Sequence, residues 1–124
     1  MKKILLILTI FIGSICCSCA QNASYTSLSN SEFAKVIHQK KAQVVDVRTP
    51  SEFNAGHLPK AVNMDVNCKD FNNRIDKLNK KKPVAVYCRS GRRSKIAAQI
   101  LSDKGFTVYE LDKGLQQWDG KIVQ

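Results

Sequence analysis

Cys88 stands at the end of an apolar run, Val84-Ala85-Val86-Tyr87, and opens a short segment crowded with arginine, glycine and serine, Arg89-Ser90-Gly91-Arg92-Arg93-Ser94. This is the setting of a reactive thiol. A thiolate is a far better nucleophile than a thiol, and a free cysteine pKa of about 8.5 falls to roughly 3.5–7.5 beside cations or a helix N-terminus. Arg89, Arg92 and Arg93 supply the charge. Ile96, Ala97, Ile100 and Leu101 share one helical face, so a helix is expected to start just after the loop and aim its dipole at the sulfur. Gly91 allows a tight turn in which several backbone N–H groups converge as an anion-binding nest. The alternative, a buried structural cysteine, would have apolar neighbours instead.

Loop length separates two chemistries that share such a cradle. Cys-dependent phosphatases and arsenate reductases carry Cys-x5-Arg, a loop that wraps a tetrahedral oxyanion while the arginine closes it bidentately. Counting from Cys88, the arginine is Arg93 and the spacing is Cys-x4-Arg, with Ser94 at the next position. A ring one residue smaller suits a single terminal sulfur, a persulfide, better than a phosphoryl group.

The pattern Cys88-x-x-Gly91-x-Arg93-Ser94 resembles the active-site loop of single-domain rhodaneses, the sulfurtransferases. The upstream run Asp46-Val47-Arg48, Glu52-Phe53-x-x-Gly56-His57-Leu58-Pro59 and Ala61-Val62-Asn63 is similar to that family's upstream signature, with Lys60 where glycine is usual. Leu111-Asp112-Lys113-Gly114-Leu115-x-x-Trp118 resembles its closing Gly-Gly-x-x-x-Trp element, again with a lysine replacing a glycine. The resemblance spans roughly residues 25–124. It implies a rhodanese-like α/β fold with a central parallel sheet flanked by helices on both faces. It also implies an enzyme of the thiosulfate sulfurtransferase type, in which Cys88 takes sulfane sulfur from a small anionic donor and passes it to a thiophilic acceptor. Within that reading the N–H groups of Arg89 to Ser94 bind the persulfide and Arg89 and Arg92 attract the donor. Arg93 and Ser94 brace the loop, and Asp46 and Arg48 form a supporting ion pair. A non-catalytic sulfur carrier or partner-binding module would share every one of these motifs, and a Cys-based phosphatase or arsenate reductase is disfavoured only by the loop count.

The elements that must place Cys88 are read from local signals. Ser29 with Glu32 forms a capping box, and Leu28 with Phe33 occupies the hydrophobic-staple positions, so a helix is expected over Asn30 to Gln39. Gln43 to Val47 is then a buried strand. Thr49 with Glu52, and Pro50 between them, starts a short helix ended by Gly56. Strands follow at 61–64, 83–87 and 107–111, separated by helical patterns at about 70–78 and 93–104. Such alternation implies parallel strands covered by helices. Ligand sites favour the carboxyl ends of those strands, where Cys88 falls.

The first twenty residues have a separate role. Lys2 and Lys3 precede an apolar run over 4–15, shorter than the roughly 20 residues a membrane-spanning helix needs and suited to a signal peptide. Ser18-Cys19-Ala20 permits cleavage before Gln21, whereas Cys19 is also placed for lipoprotein acylation; a retained anchor is the third alternative. The expected domain is 21–124, exported to the periplasm or held at a membrane only through a lipid on Cys19. Of five cysteines, Cys68 and Cys88 remain in the body of the domain, too few for a disulfide framework. Cys68 reads as a spectator, with pairing to Cys88 as a resolving thiol the alternative.

Formal charge is +10, from 20 basic and 10 acidic residues. That balance favours attraction of an anionic donor. Nucleic-acid binding is not expected without stacking aromatics or a recognised fold, and the lysines at 40–41 and 80–82 read as solvated surface. His57 has no histidine or cysteine at metal-ligand spacing and is expected to order a loop. The chemistry needs no metal or organic cofactor, and a monomer is expected.

Overall fold

The computed structural model describes residues 25–124; the expected export segment and Cys19 lie outside the described residues. Five strands, β1 (Tyr25–Leu28), β2 (Gln43–Asp46), β3 (Val62–Asn63), β4 (Val84–Tyr87) and β5 (Val108–Leu111), form one sheet in the order β1-β5-β4-β2-β3. Every neighbouring pair is parallel. Cys88 leaves the middle strand.

The central strands are buried on both faces, and their side chains alternate between two cores. Val45, Val84, Val86 and Val108 point to one core, closed by Phe71 and Ile75 of α3 (Phe71–Ile75) and by Ala97, Ala98 and Leu101 of α4 (Arg92–Asp103). Val44, Ala85, Tyr87 and Leu111 point to the other, closed by Phe33 and Val36 of α1 (Asn30–Gln39) and by Leu58. Leu58 follows α2 (Pro50–Ala55). Helices thus cover both faces of a parallel sheet.

Both helix starts read from capping boxes have that geometry, with Ser29 and Thr49 each accepting from the N3 backbone and Glu32 and Glu52 reaching back. Leu28 and Phe33 meet in one core cluster, as a staple requires. The strands β2 to β5 are each shorter by a residue or two than expected, and three further elements differ. β1 carries no strong local signal, because Thr26 and Ser27 are exposed, and its strand character comes from pairing along β5. α3 stops at Ile75 rather than near Leu78, where the chain continues in turns closed by Lys77 N–H to Arg74 and Leu78 N–H to Ile75. α4 starts one residue early, at Arg92. Lys60, which replaces a glycine of the resembled pattern, has φ 65°, so the backbone keeps the left-handed turn that glycine usually serves.

Candidate functional site

Burial delivers the sulfur. Val84 to Cys88 are all inaccessible, and the Tyr87 hydroxyl accepts the Leu58 N–H at 3.0 Å, tying the end of β4 to the segment after α2. From Cys88 the chain turns at once into α4. Gly91 makes that turn with φ 98°, and a Cβ there would collide with the Asp112 carbonyl. Gly114 has φ 72°, and a Cβ there would collide with the Arg89 carbonyl. These two glycines let the closing segment sit directly on the loop, where Leu115 N–H donates to the Cys88 carbonyl at 2.9 Å and Gln116 N–H to the Arg89 carbonyl at 3.0 Å.

The sulfur meets donors rather than hydrocarbon on its loop side. Gly91 N–H donates to Cys88 Sγ at 3.1 Å, and Ser94 Oγ lies 3.4 Å from it. Burial pushes the Cys88 thiol up, but the Ser94 side chain and the backbone N–H groups of Ser94, Gly91 and Ser90 hold its charged form more strongly. The thiol therefore lies below its ordinary value. The arginines contribute less than their number suggests. Arg93 pairs bidentately with Glu52, Nη1 to Oε1 at 2.7 Å and Nη2 to Oε2 at 2.9 Å, and Cys88 is a lesser Coulombic influence on it. That bidentate contact holds the Glu52 carboxyl at about 2 and raises Arg93. Arg89 and Arg92 are exposed, as expected for outward-facing side chains, but neither is among the groups that lower the thiol.

Behind Ser94 is a buried carboxylate. Glu110 of β5 is inaccessible and accepts from Ser94 Oγ, from Ser27 Oγ at 2.6 Å and from Lys95 Nζ at 3.2 Å. Lys95 also bridges Asp112 at 2.9 Å and the Gly91 carbonyl at 3.3 Å, so one side chain joins the loop, α4 and the end of β5. A serine hydroxyl has a single proton. While Ser94 gives it to Glu110, the Cys88 S–H must donate to Ser94 Oγ. When the thiolate forms, the Ser94 proton turns to sulfur and Glu110 keeps Ser27 and Lys95.

Asp46 and Arg48 form a buried pair, Arg48 Nη2 to Oδ2 at 2.6 Å, and the same guanidinium donates to the Gly56 carbonyl at 2.7 Å. Asn63 donates to the Asp46 and Arg48 carbonyls, locking β3 to this corner. A cleft of about 410 Å³ opens beside it, lined by Arg48, Glu52, Ala55, Arg89, Leu115 and Gln116. Arg89 therefore faces a cavity; Arg92 does not line it. His57 stacks on Phe53 at 3.8 Å, shares Nδ1 with the Phe53 carbonyl and bridges Val123 through its backbone, which orders the C-terminal segment. Ser90 is exposed on the loop.

Glu52, Lys95 and Glu110 escaped the sequence reading as site residues. Glu52 had a complete explanation as a capping residue, and it performs both roles. Glu110 had a signal, since a carboxylate inside the apolar strand Val108-Tyr109-Glu110-Leu111 is expensive to bury without partners.

With this geometry in view, the sequence matches the rhodanese-like domain over residues 29–121. It is 34% identical over 97 residues to the thiosulfate sulfurtransferase GlpE of Shewanella oneidensis, a match covering 77% of this chain and 94% of that protein. It is 36% identical over 98 residues to the tRNA uridine(34) hydroxylase of Pelagibacter ubique, covering 77% of this chain but only 33% of the relative. The chain thus spans about a third of that larger protein. Among solved structures, a rhodanese-related protein from Thermoplasma volcanium superposes with a TM-score of 0.71 at 27% identity, covering 80% of this chain and 98% of that one.

Proposed function

The chain belongs to the rhodanese-like family, and from that premise we propose that it is a sulfurtransferase working through a Cys88 persulfide. The observation that carries the reading is a buried Cys88 sulfur that accepts the Gly91 N–H and lies below its ordinary thiol pKa, in a loop one residue shorter than Cys-x5-Arg. The Cys88 thiolate attacks the outer sulfur of a donor such as thiosulfate. A sulfur–sulfur bond forms at Cys88, the donor's own sulfur–sulfur bond breaks, and sulfite leaves with the electron pair. A thiophilic acceptor, cyanide or a thiol, then attacks the terminal sulfur and releases the Cys88 thiolate. The route is covalent and has two steps.

Each group has a place in it. The backbone N–H groups of Ser90, Gly91 and Ser94, with the Ser94 hydroxyl, stabilise the anionic sulfur as donors stabilise an oxyanion. Arg89, at the cleft, and Arg92, exposed nearby, draw in the anionic donor. Arg93 with Glu52, and Arg48 with Asp46, keep the corner rigid. The proposed setting is outside the cytoplasm, with the chain exported and processed before Gln21 or at Cys19.

Intact mass after brief thiosulfate treatment tests the reading. One added sulfur atom, lost on addition of cyanide with release of thiocyanate, is expected for the parent and absent from Cys88→Ser. Loading without turnover would identify a sulfur carrier. Absence of loading, or release of phosphate from an aryl phosphate faster than sulfur transfer, would overturn the proposal.

A further inference from the structure

We propose that the edge of the sheet opposite Cys88 is a docking face for an anionic lipid bilayer, built from Lys40, Lys41, Lys80, Lys81 and Lys82. Because neighbouring strands are all parallel, their amino ends share one edge, and Cys88 follows the carboxyl end of β4 at the other. Lys40 and Lys41 lie one residue before β2, and Lys80 to Lys82 one residue before β4. β2 and β4 are neighbours with Gln43 opposite Val84. Two lysine runs far apart in sequence therefore meet in space.

The junction is built rather than incidental. The Gln43 side-chain amide donates to the Asn79 carbonyl at 2.8 Å and the Lys82 carbonyl at 3.3 Å, and its oxygen accepts the Asn79 N–H at 2.9 Å. Its backbone N–H donates to the Pro83 carbonyl at 2.8 Å. One residue thus clamps the second lysine run against the first. All five lysines are exposed, and among the described residues none of them makes a salt bridge, whereas nearby Lys104 is neutralised by Asp76 at 2.9 Å. Five uncompensated like charges on one edge call for an anionic surface.

Two observations favour a bilayer over nucleic acid. The first is the path of the chain. Tyr25 begins β1 at this same edge, so everything before it, including the apolar run 4–15 and Cys19, joins the domain here. Cys19 precedes Tyr25 by six residues, and at no more than 3.3–3.6 Å per residue an anchor there holds this face within about 20 Å of the membrane. The second is the state of the aromatic rings. Lys40 Nζ donates to the Tyr109 hydroxyl at 2.8 Å and lies over its ring, Lys80 lies over the Phe106 ring, and Phe106 is buried. Each ring already has a lysine ammonium over it and is not offered to bases. Polybasic surfaces bind anionic leaflets through their charge, within a Debye length. Docked in this way, the domain turns the Cys88 edge outward to soluble donors.

The test uses the full chain, so that any insertion of the apolar run occurs equally in every sample. Binding is compared on phosphatidylcholine vesicles and on vesicles containing about one third phosphatidylglycerol. An excess of about tenfold on the anionic vesicles is expected at low salt, vanishing at high salt. Lys41→Gln, Lys80→Gln, Lys81→Gln and Lys82→Gln together should remove the excess; Lys40 is kept for its contact with Tyr109. The same number of substitutions outside the two lysine runs, Lys35→Gln, Lys69→Gln, Lys113→Gln and Lys121→Gln, should leave most of it. Equal losses in the two variants would overturn the proposal, since net charge alone would then explain binding. An excess that survives the first variant, while that variant loses affinity for a single-stranded oligonucleotide, would assign the lysines to nucleic acid and overturn it equally.

Discussion

Cys88 and Cys68 are both free thiols in the same domain, and they invert the simplest expectation about reactivity. Cys68 is exposed, in a turn where its N–H donates to the Asp65 carbonyl and its own carbonyl accepts from Phe71. Cys88 is inaccessible as a residue, and burial alone would make it inert. Yet Cys88 is the thiol held below its ordinary pKa, because strand, turn and helix aim the N–H groups of Ser90, Gly91 and Ser94 and the Ser94 hydroxyl at one atom. At Cys88, oriented dipoles outweigh desolvation. Arginine charge, conspicuous in the sequence, is mostly spent elsewhere: Arg93 on Glu52, Arg48 on Asp46.

The largest expected effect separates the two sulfurs. Cys88→Ser should abolish persulfide loading while leaving the unfolding midpoint nearly unchanged, since the hydroxyl is close in size but cannot carry the sulfur. Cys68→Ser should keep most turnover. Loss of turnover in the Cys68 variant with retention in the Cys88 variant would reverse the assignment.

Ser94→Ala should come next. A hydrogen bond to a charged group contributes roughly 1.5–3 kcal/mol, and each pKa unit corresponds to about 1.4 kcal/mol, so the pH for half-maximal alkylation of Cys88 should rise by about one unit or more. Glu110→Gln should act in the opposite direction and less strongly. It removes a buried negative charge behind Ser94 and frees the serine proton for sulfur, so the midpoint should fall. In a Ser94→Ala background the Glu110→Gln shift should shrink, because only the Coulombic part survives. A midpoint that rises with Glu110→Gln would show that the carboxylate positions the loop through Lys95 rather than competing for the serine proton.

Glu52 allows a test of the frame rather than of the thiol. Its folded pKa of about 2 lies below the ordinary carboxylate value of 4.5, so the pair with Arg93 stabilises the fold fully above that ordinary value. The contribution is lost as pH falls from about 4.5 toward 2. Glu52→Gln should therefore be less stable than the parent at neutral pH, with the two unfolding curves converging near the acid end. Curves that stay parallel down to the acid end would mean that the Glu52 charge does not stabilise the fold.

What could be read in the sequence follows the range of the interactions involved. The capping boxes at Ser29 and Thr49, the turn at Gly91 and the strand that ends in Cys88 are each determined within a few residues, and each was legible. The left-handed turn at Lys60 was legible only as a departure from a glycine pattern. β1 was not legible, because Tyr25 to Leu28 become a strand through β5, more than eighty residues away. The same holds for the site. Cys88, Gly91 and Ser94 are neighbours in the chain, whereas the partners that set their protons and their rigidity, Glu110, Lys95 and Glu52, arrive through pairing and packing.

Arg89 and Arg92 sharpen the contrast between oriented dipoles and free charge, and the effect expected of them is the smallest. Replacing both with Ala should raise the KM for thiosulfate a few-fold, because exposed charge acts on a dianionic donor at a distance. Screening reaches about 8 Å at physiological ionic strength. Salt should thus weaken the parent toward the level of the double variant, whose own salt dependence should be flatter. The pH midpoint for Cys88 alkylation should barely move, since neither arginine is among the groups that lower the thiol. A midpoint that rises by a full unit in the double variant would mean that long-range cationic charge, and not the ring of N–H groups, prepares the sulfur. The distinction between the two thiols would then come down to the arginines that surround only one of them.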